Sequence, residues 1–124
     1  MSVNNVIENN YLHGNLLNDI QTGLKKLGKT IGNITVEDLS AVDEFHIGGR
    51  AATDHFLSQI NFPEGGHLLD IGCGLGGASR YVADKYKHKV TGIDLTKEYI
   101  DTGNVLSDWV NLENMVNLYH GSAL

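Results

Sequence analysis

The segment LLDIGCGLGGASRYVA, from Leu68 to Ala83, limits what this chain can fold into more than any other stretch. A short apolar run ends in an acid, passes through four glycines within six residues, and resumes as a helix-forming pattern. Glycine at this density marks a strand that turns sharply into a helix, because glycine alone enters left-handed backbone without a steric penalty. Such a turn ordinarily presents backbone N–H groups to an anion, most often a phosphate. Asp70, two residues before Gly72, is an awkward neighbour for a phosphate.

The rhythm continues downstream. HLLDIG reads as a strand, about Gly76 to Tyr86 as a helix, and KVTGID as a second strand ended by Asp94. Thr96 is placed to cap a helix running to about Leu112, and MVNLYHG reads as a third strand. Strands alternating with helices across short loops predict an α/β fold, three parallel strands with crossover helices. Ligands of such sheets bind beyond the C-terminal strand ends. Asp70, the glycines, Asp94 and Ser122 would share that edge.

Upstream the pattern is helical. Leu17, Ile20, Leu24 and Leu27 recur at helical spacing from Asn15 to Leu27, with Gly28 as the stop. Thr35 and Asp38 form a capping box opening a short helix through Val42. A further helix is expected from about Gly49 to Ile60, burying Ala52, Phe56 and Ile60, before the loop NFPEGG. The expected organisation is a helical segment over 1–62 and the first half of a Rossmann-like domain over 63–124.

The chain has 124 residues, 41% of them hydrophobic, enough for one small globular domain. No apolar run approaches the roughly 18 residues of a membrane helix. MSVNNVIENN lacks the basic start and apolar core of a secretory signal, and one cysteine precludes an internal disulfide, so a cytoplasmic setting is expected. A net charge of −6 argues against nucleic acid as partner. The lysines at 25, 26, 29 and at 85, 87, 89 read as helix C-termini favoured by the dipole. His13, His46, His55, His67, His88 and His120 show no paired ligand spacing, so no metal is expected. Cys73, with no histidine paired to it, reads as a small packing residue rather than a nucleophile.

Gly72, Gly74 and Gly77 match the dinucleotide spacing G-x-G-x-x-G, and an acid such as Asp94 can grip ribose hydroxyls. That pattern admits an oxidoreductase using NAD(P) or FAD. Asp70 separates the readings: it would repel a pyrophosphate but gain about 1.5–3 kcal/mol from an ammonium group. A ribose for Asp94, a cation near Asp70 and no phosphate describe S-adenosylmethionine. Its carboxylate would then take the N–H groups of the glycine turn.

LLDIGCGLGGASRYVA followed by VTGIDLT resembles the first two cofactor motifs of class I S-adenosylmethionine-dependent methyltransferases. VDEFHIGGRAATDHFL is similar to the segment preceding the core in bacterial small-molecule members, near the sarcosine/dimethylglycine and quinone methyltransferase branch. The resemblance spans residues 42–124 well. It implies that Gly72, Gly74 and Gly76 line the methionine part of the cofactor. It further implies that Asp70 orients the amino group directly or through water, that Asp94 binds the ribose hydroxyls, and that Leu95 packs on adenine. GSAL matches the third motif, with Ser122 where the family commonly has an acid meeting the adenine amine. Serine accepts a hydrogen bond without charge, and the N–H of Ala123 is placed to serve adenine in either case. His46 and Arg50 belong to the pre-core segment that covers the cofactor cleft in the family.

The family's sheet has more strands than the three read here. The expectation is therefore the N-terminal, cofactor-binding part of a methyltransferase for a small acceptor, inactive alone and with its catalytic residues unknown. The open edge of the first strand predicts self-association through that strand or through apolar helix faces. A dinucleotide-dependent oxidoreductase and a non-catalytic binding or interaction module remain as other readings.

Overall fold

The computed structural model describes residues 16–43, 55–61 and 65–123. Helix α1, Leu16–Lys26, buries Leu16, Ile20 and Leu24, one residue per turn on a single face. It ends in a Schellman turn: Gly28 takes φ +76°, its N–H bonds to the Lys25 carbonyl, and the Lys29 N–H reaches back to Leu24, each at 3.0 Å. Leu27, expected on the buried face, lies beyond the helix and is exposed, because the turn swings it outward. Helix α2, Val36–Asp43, opens with the expected capping box: Asp38 N–H donates to Thr35 Oγ1 and Thr35 N–H to Asp38 Oδ2.

The helix expected from Gly49 falls partly outside the described residues, with Ala52, His46 and Arg50 among those not described. Residues 55–57 are helical, but Phe56 is 64% exposed and Ile60 is also exposed, while Leu57 is buried. The inward stripe is therefore rotated by one residue from the expected one.

Strands β1 (His67–Ile71), β2 (Lys89–Asp94) and β3 (Val116–His120) form a parallel sheet in the order β1-β2-β3. Helix α3, Gly77–Tyr86, crosses from β1 to β2, and α4, Lys97–Trp109, from β2 to β3. Strand residues alternate between faces. Val90, Val116 and Leu118 turn toward the helices and pack with Tyr81, Val82 and Ile100. Leu69, Ile71 and Tyr119 lie on the opposite, exposed face. A second core joins α1 and α2 to the sheet unit: Leu16, Ile20, Leu24, Leu39 and Val42 pack with Leu75 of the glycine turn and Leu106 of α4.

Helix α4 stops short of the expected Leu112, where Asn111 enters left-handed backbone at φ +62° and Leu112 N–H bonds to the Ser107 carbonyl. Thr96 holds its N-cap position, but its side chain makes no capping bond. Among the described residues no helix is long and apolar enough to cross a membrane.

Candidate functional site

The ends of β1, β2 and β3 open together onto a cavity of about 440 Å³. Gly72 lines it from β1's turn, Asp94 from the end of β2, Leu95 from the residue after it, and Ser122 and Ala123 from the segment after β3. The parallel register makes this convergence unavoidable: Asp70 pairs with Gly92 and Asp94 with His120, so the strands finish at one edge. Five of the eight expected site residues thus meet in one cleft. Asp70, Gly74 and Gly76 do not line it.

The glycine turn is shaped by three left-handed residues, Gly72 (φ +73°), Gly74 (+58°) and Gly76 (+87°). Gly76 has a second reason to lack a side chain, since a Cβ there would meet Leu118 Cδ1 at 2.8 Å. Gly72 faces open space. The turn's N–H groups, expected to receive a ligand carboxylate, are largely engaged within the protein. Gly72 and Cys73 both donate to the Ile93 carbonyl, at 2.8 and 3.1 Å, and Gly76 donates to Cys73 at 3.0 Å. Gly74 N–H donates to Asp94 Oδ2 at 2.9 Å.

Asp94 is therefore anchored twice, its other oxygen accepting the Thr96 N–H at 2.9 Å. Each carboxylate oxygen carries a further lone pair, so two hydroxyl donors can still be accepted. Thr96 contributes through its backbone rather than as a side-chain cap. Leu95 is 73% exposed at the cleft, and His120 Nε2–H donates to its carbonyl at 3.1 Å.

Asp70 points toward α3, where Ser79 Oγ donates to its Oδ2 at 2.7 Å. Burial raises its carboxyl above the usual carboxylate range; the Ser79 bond works against this, and the charge of Asp94 adds to it. Burial and the charges of Asp70 and Asp94 push the Cys73 thiol up to about 12, which keeps it protonated. Among the described residues no group of three His, Cys, Asp or Glu side chains converges as a metal site.

Sequence reasoning missed the residues that brace the turn. Arg80 is fully buried and donates from Nη2 to the Leu75 carbonyl at 2.6 Å. Its Nη1 donates to the Gly103 carbonyl at 2.9 Å and to Ser107 Oγ at 3.1 Å. One guanidinium thereby fastens the turn to α4. Gly103 and Ser107, small residues four apart on α4, were the available signal for a close approach of this kind. Asn104, on the same helix, exchanges two hydrogen bonds with the Leu118 backbone and so occupies part of the outer edge of β3.

A parallel sheet with crossover helices, a glycine turn after β1 and an acid ending β2 define the Rossmann-like core of the class I S-adenosylmethionine-dependent methyltransferases. The sequence pattern of the mycolic acid cyclopropane synthetase family matches residues 41–120, and the chain belongs to that family. Phosphoethanolamine N-methyltransferase 1 of Zea mays is 37% identical over 68 residues, covering 55% of this chain and 14% of the relative. A probable fatty acid methyltransferase of Pseudomonas putida is 44% identical over 50 residues, 40% of this chain and 13% of its own. The chain thus spans a small part of these relatives. The S-adenosylmethionine-dependent methyltransferase of Thiobacillus denitrificans, solved with S-adenosyl-L-homocysteine, superposes with a TM-score of 0.59 at 20% identity. That match covers 67% of this chain and 34% of that one. The relatives' names cover several acceptor classes and do not single out the sarcosine/dimethylglycine and quinone branch.

Proposed function

We propose that the cleft holds S-adenosylmethionine and that the whole protein transfers its methyl group to a small-molecule acceptor. The observation carrying this reading is the doubly anchored Asp94 facing a cavity bounded by Gly72, Leu95 and Ala123. The residues fit the group: a carboxylate with lone pairs to spare for ribose hydroxyls, open space at Gly72, and apolar walls from Ile71 and Ile93. Leu95 and Ala123 would flank adenine, with Ser122 as a neutral partner for its amine. Gly74 and Gly76 act by shaping the turn, and Asp70 acts on the amino group through water, since its carboxylate lies behind the cleft wall. The cofactor supplies a methyl group already activated on a sulfonium, so the protein's task is to align the acceptor and exclude water.

The test is calorimetric titration with S-adenosylhomocysteine, with NADH for comparison. Binding of the first alone is expected. Binding of NADH alone would replace this reading with the dinucleotide one, and turnover-free binding in a longer chain would favour an interaction module.

The division into a helical segment over 1–62 and a cofactor half over 63–124 belongs to the same reading, as does a cytoplasmic setting for a chain with one cysteine. Its acidic balance favours small molecules over nucleic acid as partners. A second copy of the chain is a further partner in this reading, and the exposed sheet face supports it. Parallel sheets are ordinarily covered on both faces, yet Leu69, Ile71 and Tyr119 are more than half exposed. Asn104 occupies part of β3's outer edge, which leaves β1 as the pairing edge. Sedimentation velocity at rising concentration is expected to show dimers, weakened by Leu69→Lys; a single monomeric species throughout would refute association.

A further inference from the structure

A second cavity, of about 290 Å³, lies at the far end of α4 from the cleft. Thr96, before the first turn of α4, lines the cleft, whereas Trp109, its last residue, lines this cavity. The 13 residues of the helix separate the two by about 20 Å at the α-helical rise.

Leu24, Ile31 and the Trp109 indole supply its apolar surface. Lys25 and Lys29 supply its charge, and Thr30 a hydroxyl. The Schellman turn brings the two lysines together: the bond from Lys29 N–H to Leu24 folds the chain back beneath the end of α1. Lys29 Nζ also lies 3.6 Å from Asp38, yet its side chain remains 39% exposed, so one carboxylate neighbour leaves it accessible. Lysines at a helix C-terminus are favoured by the dipole alone. The dipole gives no reason for a concave surface with an indole in its wall, in a chain whose net charge is −6.

We infer that this cavity binds a small organic anion carrying an apolar body, its charge beside Lys25 and Lys29 and its body against Ile31 and Trp109. The space, about 290 Å³, admits a body the size of a medium-chain carboxylate. The inference is independent of what the cleft binds.

Trp109 is the chain's only tryptophan, so its fluorescence reports directly on this cavity. The experiment titrates the chain with octanoate below its micellar concentration, with octanol as the uncharged match and acetate as charge without a body. Octanoate is expected to saturate a change in Trp109 emission, with octanol and acetate at least ten-fold weaker. Lys25→Gln with Lys29→Gln is expected to weaken octanoate at least ten-fold, and Ile31→Glu, at an exposed position, to abolish the response. Octanol binding as well as octanoate would overturn the proposal. So would unchanged affinity in the double variant, or displacement of octanoate by S-adenosylhomocysteine. If the double variant loses helical circular dichroism, Ile31→Glu decides: a retained response refutes the site.

Discussion

The N–H of Gly74 donates to Oδ2 of Asp94 at 2.9 Å, across 20 residues of sequence, tying the turn after β1 to the end of β2. The acid read as the ribose ligand is thus also a structural fastener, and its second oxygen holds the start of α4 through Thr96 N–H. Asp94→Asn keeps one acceptor oxygen and faces an amide N–H₂ toward a backbone donor. Urea denaturation is expected to show a loss of about 1–3 kcal/mol. Affinity for S-adenosylhomocysteine should fall about ten-fold or more, because charge-assisted acceptance is lost. Undiminished affinity would remove Asp94 from the ribose role.

Asp70 is expected to trade stability for binding. Its carboxyl is raised mainly by burial, so the folded chain holds that proton more tightly than the unfolded chain, whose value lies near 3.8. The contribution to stability is therefore present below that value and is lost as pH rises through the higher folded value. Above that folded value the ionised, buried group opposes folding. Asp70→Asn, whose amide oxygen can still accept from Ser79, should melt at the same temperature or higher at pH 7 and lower its apparent advantage in acid. The same variant should bind S-adenosylmethionine about ten-fold or more weakly, for want of a charge near the amino group. A lower melting temperature at pH 7 would contradict the desolvation argument.

Gly103 should reverse the usual sign of a helical glycine substitution. Alanine ordinarily stabilises a helix interior by about 0.5–1 kcal/mol over glycine. At Gly103 a Cβ would meet the Leu75 carbonyl at 2.5 Å and Leu118 Cδ1 at 2.6 Å. Gly103→Ala is expected to destabilise by about 1–3 kcal/mol, whereas Gly32→Ala, where nothing lies within 4 Å, should be near neutral. Thermal denaturation of the pair separates the close approach of α4 from a general effect of the substitution.

Cys73 should be sluggish toward thiol reagents despite its partial exposure. A thiol held at about 12 has about a thousand-fold less thiolate at pH 8 than one of ordinary pKa. Alkylation by iodoacetamide is expected to run at least a hundred-fold slower than for a free small thiol. A rate matching the free thiol would mean that the turn opens readily in solution.

Elements whose signals are local could be read from the chain alone. The Schellman stop at Gly28, the Thr35–Asp38 capping box, the strand–turn–helix around Gly72 and the acid ending β2 each depend on residues within a few positions of one another. Backbone sterics and short-range hydrogen bonds decide such features before any packing occurs. Period-3.6 patterning placed α1 but misplaced Leu27 and the stripe around Phe56, because the inward direction of a helix end depends on what it packs against.

Tertiary structure decided which groups are available at the cleft. Parallel register brought Gly72, Asp94, Leu95, Ser122 and Ala123 to one cavity, and it turned Asp70 toward Ser79 instead. The N–H groups of Gly72, Cys73 and Gly74 look equally available in sequence, yet the end of β2 claims all three through Ile93 and Asp94. Arg80 carries no local signal of its role: only when α3 and α4 close over it do the carbonyls of Leu75 and Gly103 take the place of water. Hydrogen-bond partners far apart in the chain exist only once the elements have packed.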